Sequence, residues 1–299
     1  MKVSVIIPFY NAAEFLMNAV QSALDQKETG EIILVDDGSI DQSCILAGEL
    51  AQKHHLVKFY QHSGPARPNL GSAAARNIGI SQVTFPLIAF LDADDQYFSD
   101  RFTRAVELFQ SNENIQVVYG ATLNEFKSKA LRQSYKKIYG SEIDQIYLTP
   151  NDSQCTFESL ALAKNGFIHL NSLTVRTSAL KKVGLFNESL RQMQDTDLIL
   201  RLALNSEFYA LPPVPPLARR IVHGANAVFN RKSADESRLK FLLIWINKSR
   251  EVRSPFKTTF HFLRSYLGEH PFSGQGKFHK IETFIRKFIL LLHLLLKRQ

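Results

Sequence analysis

Short apolar runs alternate with amphipathic segments over the first 120 residues of the chain. Each run has the length and the unbroken apolar character of a buried strand, and each segment carries apolar residues at helical spacing. The predicted strands are residues 3–7, 31–35, 57–60, 87–91 and 116–119, and the predicted helices are residues 12–24, 41–53, 72–81 and 100–110. Because strands and helices alternate, we expect an α/β fold in which helices flank a mostly parallel central sheet.

The pattern changes after residue 120. Residues 121–165 are polar and irregular, so we expect them to be rich in loops that lie over any site formed by the sheet. Strand and helix character returns at residues 169–175 and 195–203, and the chain from residue 238 onward is amphipathic and helical. We therefore expect a C-terminal helical tail on the α/β body.

Polar side chains follow three of the predicted strands at the points where those strands end. Asn11 follows the first strand, an Asp-Asp-Gly-Ser turn at residues 36–39 follows the second, and Asp92, Asp94 and Asp95 follow the fourth. The carboxyl ends of parallel strands meet at one edge of a sheet, which is where open α/β sheets bind ligands. Crowded carboxylates suit a hard cation such as Mg²⁺ or Mn²⁺. A solvated acidic turn that caps the next helix is the simpler alternative.

Residues 69–79 open a helix with glycine and other small residues, among them Gly71. Small side chains allow a helix to approach a sheet or a ligand closely. Arg76 lies about one turn into this helix, and a buried arginine needs an anionic partner. The candidate partners are the aspartates and a diphosphate. A surface arginine on an alanine-rich helix is the alternative.

Two further residues are candidates for chemistry. Asp195 lies at the start of a predicted helix, where the helix dipole favours a carboxylate. It is a candidate general base, and the alternative is a helix N-cap. His223 follows a short basic and apolar run, and a lone histidine is more often structural than a ligand, because a ligand role needs convergent partners.

The net charge of +8 is concentrated at one end of the chain. Residues 238–299 contain 13 Lys and Arg but only 3 Asp and Glu, so the remainder is close to neutral. A near-neutral body disfavours nucleic acid as a partner. A basic tail that also carries large apolar residues indicates an anionic membrane surface instead.

The apolar run within residues 284–298 has basic flanks and is shorter than the roughly 20 residues that span a bilayer. It could lie in the membrane interface, pack on the body or pair with a second subunit. Two cysteines provide no disulfide framework, and the first strand is too brief for a signal-peptide core. We therefore expect a cytoplasmic protein, peripheral at the inner face of the plasma membrane if the tail binds lipid.

Taken together and in this order, these motifs resemble those of family 2 glycosyltransferases. The resemblance covers about residues 3–230, and the segments that carry it are residues 5–11, 34–39, 69–79, 90–95 and 194–202. It implies a glycosyltransferase A-type fold. It also implies metal-assisted, inverting transfer of a sugar from a nucleotide sugar, commonly a UDP sugar, to an acceptor hydroxyl.

The resemblance assigns roles on the donor side. Pro8 and Asn11 would line the nucleotide pocket, and Asp37 would recognise the base. Gly71 and Arg76 belong to the same group of donor-binding candidates.

The resemblance also assigns the metal site and the catalytic base. Asp92 and Asp94 would form the Asp-X-Asp motif, with Asp94 the main ligand of Mn²⁺ or Mg²⁺ and Asp92 nearer the ribose and the metal. His223 would approach the diphosphate or the metal, and Asp195 would be the base. A Gln-X-X-Arg-Trp motif, typical of processive members, is absent from the sequence, which favours transfer of one sugar per encounter.

The implied organisation is a glycosyltransferase domain over residues 1–237 and a basic amphipathic helical extension over residues 238–299. Within the domain, residues 1–120 would bind the nucleotide, and residues 121–237 would supply the base and bind a glycan or lipid-linked acceptor. Such reactions build surface polysaccharide, lipopolysaccharide or glycolipid.

One departure leaves a second hypothesis open. Gln194 stands where the family usually has glutamate, so the neighbour of the predicted base is neutral. A non-catalytic nucleotide-sugar-binding or scaffold protein on the same fold is therefore the alternative. A nucleotidyltransferase is disfavoured because residues 9–14 contain neither glycine nor a basic residue.

Overall fold

A computed structural model describes residues 1–62, 69–140, 143–149, 157–163, 165–251 and 256–268. The chain divides into two compact units, Met1–Asn226 and Ala227–Gln299. The strands of the first unit are β1 Val3–Phe9, β2 Thr29–Asp36, β3 Val57–Gln61, β4 Leu87–Phe90, β5 Gln96–Tyr97, β6 Ile115–Tyr119, β7 Thr122–Phe126, β8 Gln145–Ile146, β9 Leu173–Arg176, β10 Glu207–Ala210 and β11 Ala218–Val222. Its helices are α1 Leu16–Leu24, α2 Ser43–Lys53, α3 Ser72–Ser81, α4 Thr103–Ser111, α5 Lys129–Tyr139, α6 Phe157–Leu162, α7 Thr177–Val183 and α8 Gln194–Ala203. The predicted glycosyltransferase domain over residues 1–237, and the roles assigned to its halves 1–120 and 121–237, stay predictions.

The main sheet has seven strands in the spatial order β10-β6-β9-β4-β1-β2-β3. Strand β9 is antiparallel to both of its neighbours, β4 and β6, and the other neighbouring pairs are parallel. The predicted mostly parallel sheet flanked by helices is therefore confirmed. The carboxyl ends of β1, β2 and β4 lie at one edge of this sheet, so the polar segments that follow them are neighbours.

The core explains the unbroken apolar runs of the sequence. Successive side chains of a strand point to opposite faces of the sheet. In β1, Val5 and Ile7 belong to one buried cluster, and Ile6 belongs to a second cluster. Because both faces are covered, every residue of β1 is buried, and a strand of this kind shows no polar alternation.

The prediction of loops over residues 121–165 was wrong for four described segments, β7, α5, β8 and α6. Residues Thr122–Phe126 form β7, which joins a second sheet in the order β5-β11-β7-β8. Residues Lys129–Tyr139 form α5, whose N-cap Ser128 accepts a hydrogen bond from the Leu131 N–H. This helix was missed because the segment is polar overall, although Leu131, Tyr135, Ile138 and Tyr139 recur in it at helical spacing.

The second unit contains α9 Arg231–Glu251 and α10 Phe256–Gly268, which confirms the helical prediction for these segments. The rings of Phe241, Trp245 and Phe262 pack together with centroids 6.1–6.3 Å apart. Residues 284–298, on which the membrane hypothesis rests, lie outside the described residues. Within the described ranges, every helix is too short or too polar to cross a lipid bilayer.

Candidate functional site

The loops that follow β1 and β2 are tied to each other. Asn11 donates its backbone N–H to Ser39 Oγ (2.9 Å) and accepts the Ile40 N–H on Oδ1 (2.9 Å). Asn11 has a φ of 49°, a left-handed conformation that asparagine tolerates better than most residues. Its side chain therefore fixes the position of the second loop rather than pointing freely into solvent.

Pro8 lies inside β1 without loss of a sheet hydrogen bond. The Ile6 carbonyl accepts the Leu91 N–H (3.0 Å), so the backbone polar groups of Ile6 face β4. Because a strand repeats every two residues, the backbone polar groups of Pro8 face β4 as well. The pairing of β1 with β4 ends at Phe90, opposite Ile6. A proline, which has no N–H to donate, is therefore tolerated here, and it is buried at the edge where ligands bind.

Asp37 connects the second loop to residues 69–71. Its carboxylate accepts the N–H groups of Leu70 (2.9 Å) and Gly71 (2.8 Å), and His62 Nε2 lies 3.0 Å from Oδ1. Burial raises the pKa of Asp37, and the two N–H groups and His62 oppose that rise only in part. Hydrogen bonds from within the protein thus use most of the lone pairs of this carboxylate. Recognition of a nucleotide base by Asp37 stays a prediction.

The Gly71→Ala substitution is expected to lower the free energy of unfolding by about 1–3 kcal/mol. Gly71 has a φ of 101° and a ψ of 157°, a region that is essentially restricted to glycine. A Cβ atom there would also lie 2.8 Å from Arg191 Nη1. Urea unfolding followed by circular dichroism measures the effect.

Gly48→Ala is the matched control for this substitution. Gly48 lies inside α2, and a Cβ atom at this position would have nothing within 4 Å, so alanine is expected to stabilise the helix by about 0.5–1 kcal/mol. Equal shifts of the urea midpoint in both variants would contradict the conformational role of Gly71.

Arg76 is buried and pairs with an aspartate of the acidic turn, which is formed by residues 92–95. Its Nη2 lies 2.6 Å from Asp92 Oδ1, and its side chain is 6% exposed. The guanidinium carbon lies 5.4 Å from the centre of the Phe186 ring. Burial alone would raise the pKa of Asp92, but the charge of Arg76 and its hydrogen bond help to hold that pKa below its usual value. Arg76 therefore lies inside the site and not on the surface of its helix.

Part of the Arg76 guanidinium has no partner. Its Nε and Nη1 are buried, and no acceptor for them lies among the described residues. Leaving a buried donor unpaired is costly. This edge of the guanidinium is therefore suited to an oxygen of a bound anion.

Asp94 is held from one side by two residues of the segment after β11. His223 Nε2 and Asn226 Nδ2 each lie 2.9 Å from Asp94 Oδ2. The imidazole of His223 stacks on Phe15 with ring centroids 4.7 Å apart. Asp94 is 28% exposed, and no donor of the described chain bonds to its other oxygen. The structure places His223, which was predicted to approach the diphosphate or the metal, against Asp94, and that role stays a prediction. The contribution of Asn226 carried no signal in the sequence.

Asp95 has a structural role. It is buried, accepts the Ile221 N–H on Oδ1 (2.8 Å) and accepts Asn171 Nδ2 on Oδ2 (2.6 Å). Burial and the nearby Asp94 and Asp92 raise the pKa of Asp95 well above its usual value. Asn171 also accepts the Asp92 N–H on Oδ1 (3.1 Å), so Asp95 and Asn171 together fix the acidic turn.

His169 lies beside the same turn and was not singled out from the sequence. Ligand atoms of Asp92, Asp95 and His169 lie within 4.8 Å of one another. Burial, followed by the charge of Arg220, lowers the pKa of His169 to about 4, so its imidazole is neutral at pH 7. Both oxygens of Asp95 are already bonded, and Asp92 Oδ1 faces Arg76. This trio is therefore less suited to a cation than the open oxygen of Asp94.

Asp195 is the second residue of α8 and does not cap that helix. The residue before the helix is Met193, with a φ of 65°, and it makes no side-chain cap. Asp195 Oδ1 accepts the Thr196 N–H (2.7 Å). Its neighbour Gln194 bonds Ser72 at the start of α3, the helix whose Arg76 pairs with Asp92, so Asp195 lies on the same side of the sheet as the acidic turn. The N-cap alternative was wrong.

Gln194 joins α8 to the start of α3. Its Nε2 donates to Ser72 Oγ (2.9 Å), and its Oε1 is buried without a partner among the described residues. The glutamine therefore positions the first turn of α8 through a neutral hydrogen bond. This contact sets the orientation of the helix that carries Asp195.

Comparison with known proteins bears on the identity of this site. The family model described as Glycosyl transferase family 2 matches residues 4–167, more than half of the chain. An uncharacterized glycosyltransferase of Rickettsia typhi is 30% identical over 210 residues. That match covers 69% of this chain and 60% of the relative, so the shared region is only part of the longer protein.

Two solved structures share the fold. The S. aureus TarS 1–349 structure in complex with UDP-GlcNAc has a TM-score of 0.61 at 16% identity and covers 89% of this chain and 72% of that one. The mannosyltransferase PcManGT from Pyrobaculum calidifontis in complex with GDP-Man and Mn²⁺ has a TM-score of 0.61 at 17% identity, covering 89% and 70%. At these identities the likeness shows the fold alone. With the match of the family model, the conclusion is that the chain belongs to glycosyltransferase family 2.

Proposed function

We propose that this protein transfers a single sugar from a nucleotide sugar, with UDP as the expected nucleotide, to an acceptor hydroxyl with inversion of configuration. The observation that carries the proposal is that Asp92 and Asp94 lie at the ligand-binding edge of the sheet, beside a buried Arg76 with unpaired donors, and that α8, which carries Asp195, is bonded to the helix of Arg76. Carboxylates for a metal and a base, together with a cation for an anionic donor, are what nucleotide-sugar transfer requires.

The residues around Asp94 fit a divalent metal. Asp94 offers an exposed oxygen that accepts no hydrogen bond from the described chain, and His223 Nε2 lies within 2.9 Å of its other oxygen. Carboxylate ligands suit both Mn²⁺ and Mg²⁺. Asp94, Asp92 and His223 would hold the ion, which would offset the negative charge that builds on the leaving diphosphate.

The donor would lie between the first two loops and α3. Pro8 and Asn11 would form one wall of the donor site, and Asp37, which accepts the Gly71 N–H, holds the opening of the helix. The unpaired Nε and Nη1 of Arg76 would donate to oxygens of the donor. Charge-assisted hydrogen bonds of this kind are about twice as strong as neutral ones, so Arg76 would contribute to donor affinity as well as to the position of Asp92.

Asp195 would act as the general base. It would take the proton of the acceptor hydroxyl as that oxygen attacks the anomeric carbon from the face opposite the nucleotide. The hydrogen bond from the Thr196 N–H to Oδ1 orients the carboxylate and leaves Oδ2 available for the proton. The hydrogen bond between Gln194 and Ser72 fixes the helix on which this carboxylate lies.

The acceptor would be a glycan or a lipid-linked sugar of a surface polysaccharide, a lipopolysaccharide or a glycolipid. Binding of the basic residues 284–298 to an anionic membrane would bring the site to such an acceptor. The cytoplasmic face of the membrane is the expected place for this reaction.

Nucleotide release tests the proposal directly. UDP, GDP, CDP and dTDP sugars are each incubated with the full chain, with Mn²⁺ or with EDTA. We expect release from one nucleotide class, dependent on Mn²⁺. Tight donor binding without release, in the presence of a broad acceptor extract, would instead support the non-catalytic binding protein.

A further inference from the structure

Helix α5 places two tyrosines side by side near the proposed base. The rings of Tyr135 and Tyr139 lie one helical turn apart on the same face, with centroids 4.5 Å apart. Tyr135 is 2% exposed and meets Phe126 edge to face at a centroid distance of 5.4 Å. The inner ring is therefore fixed by packing, and the outer ring rests on it.

Arg220 on β11 anchors this pair to the acidic turn. Its Nη1 donates to the Tyr135 hydroxyl (2.9 Å), and its guanidinium carbon lies 5.6 Å from the centre of the Tyr135 ring. The next residue, Ile221, donates its N–H to Asp95 (2.8 Å). A continuous set of contacts thus runs from the acidic turn through β11 to the tyrosines, and it holds their position relative to the proposed metal site.

Tyr139 combines a ring held by packing with partial exposure to solvent. Its ring lies on that of Tyr135, whose hydroxyl accepts a hydrogen bond from Arg220, and the charges of Arg220 and Asp195 are close enough to act on the Tyr139 hydroxyl. Even so, 42% of the residue is exposed. A partly exposed aromatic ring that rests on a buried ring offers a flat apolar surface at a fixed position.

We propose that the exposed ring of Tyr139 is an acceptor subsite that binds one pyranose ring of the acceptor beside Asp195. This inference rests on the proposed glycosyl transfer. The apolar C–H face of a pyranose stacks on an aromatic ring, while its hydroxyls remain free for hydrogen bonds. A sugar seated on Tyr139 would be held beside the acidic turn, and one of its hydroxyls would be placed against Asp195 for deprotonation.

A pyranose fits this position better than other acceptor groups do. A lipid chain would need a continuous apolar patch, whereas Tyr139 is followed by Gly140 and preceded on the exposed face by Lys136. A planar stacking surface with polar and charged groups at its rim matches the two faces of a sugar ring. Tyr135 and Arg220 act as positioning residues, since they are covered and reach the sugar only through Tyr139.

The test compares acceptor and donor kinetics in three variants. A panel of octyl pyranosides of glucose, galactose, N-acetylglucosamine and mannose serves as the acceptor probe, and nucleotide release above the rate in water is measured. In Tyr139→Leu we expect the acceptor KM to rise about 3- to 10-fold, the worth of one aromatic contact. The donor KM is expected to change much less than the acceptor KM.

Two further variants distinguish the contribution of the Tyr139 ring from that of its hydroxyl and from the nonspecific effect of removing a surface tyrosine. Tyr139→Phe keeps the ring, so its acceptor KM is expected to stay within about twofold of the parent protein, because the stacking area is retained. Tyr209→Leu removes another tyrosine of the same unit, 39% exposed on β10, and is expected to leave both KM values unchanged.

The outcomes distinguish this inference from the function on which it rests. An unchanged acceptor KM in Tyr139→Leu, with an active parent protein, would overturn the subsite alone. Donor turnover that no octyl pyranoside accelerates would also overturn it. A parent protein that turns over no nucleotide sugar would overturn the proposed function, and the subsite with it.

Discussion

Replacing Asp195 by asparagine is expected to lower kcat by about 10²–10⁴-fold, the usual contribution of a general base. Asparagine has nearly the same shape, and its Oδ1 can still accept the Thr196 N–H that holds the carboxylate. The amide cannot accept the acceptor proton, so the chemical step slows while the fold and the donor site remain. Steady-state nucleotide release with the preferred donor, together with the donor dissociation constant from calorimetry, measures both effects.

Asp25→Asn is the matched control for Asp195→Asn. Asp25 is exposed at the end of α1, where it accepts a hydrogen bond from Gln21 (2.7 Å), and α1 ends at the sheet edge opposite the site. We expect its kcat to equal that of the parent protein. Turnover within about threefold of the parent in the Asp195 variant would rule out the base assignment, because general base catalysis contributes at least about 10²-fold.

The Arg101→Met substitution is expected to lower the free energy of unfolding by about 3–5 kcal/mol. Arg101 is 1% exposed, and its guanidinium donates to the carbonyls of Asn171 and Leu173 and to Thr174 Oγ1 at 3.0–3.2 Å. Methionine fills much of the same space but leaves two buried carbonyls without these donors, each at a cost of about 1–3 kcal/mol. Urea unfolding at pH 7 measures the loss.

The charge state of Arg101 does not complicate that measurement. Burial lowers the pKa of Arg101 to about 10, so the guanidinium is protonated at pH 7. The control is Arg104→Met on α4, since Arg104 is 65% exposed and its ion pair within the described part of the chain is with the exposed Glu107 (2.9 Å). A surface substitution of this kind is expected to change the free energy of unfolding by no more than about 0.5 kcal/mol. Equal urea midpoints for the two variants would refute a structural role for Arg101.

The sequence was sufficient to predict most of the main sheet, because local pattern carries that information. The predicted helix over residues 72–81 matches α3, and the strand predicted at residues 3–7 extends to Phe9. Helix α1 begins at Leu16, four residues later than predicted, because residues 10–15 are taken up by the loop bonded to Ser39 and Ser43. Boundaries of this kind depend on side-chain contacts between distant segments.

The second sheet could not be predicted in the same way. Strand β11 has the sequence Ala-Arg-Arg-Ile-Val and a mixed burial pattern, so it shows neither clean alternation nor an unbroken apolar run. Its position is set by pairing with β7 and β5. This strand brings Arg220 to Tyr135, and His223 immediately follows it, which is why part of the site was not visible in the sequence.

Several residues of the site were missed because their roles depend on geometry. Asn171 bonds both Asp95 and the Asp92 backbone, and Asn226 bonds Asp94, yet an isolated asparagine has no motif. His62 lies against Asp37 from 25 residues away. The aspartates themselves were found because acid after an apolar strand is a local pattern, whereas their partners come from distant segments.

The central claim is a metal-dependent nucleotide-sugar site at Asp94, and calorimetric titration of UDP, GDP, CDP and dTDP sugars with Mn²⁺ tests it most directly. We predict that one nucleotide class binds, and that EDTA or Asp94→Ala weakens binding at least about tenfold, since metal-site residues contribute on that scale. Asp25→Ala, which changes an exposed acid outside the site, is expected to bind as the parent does. Equal affinity in the folded Asp94 variant, or no binding by the folded parent protein, would contradict the claim.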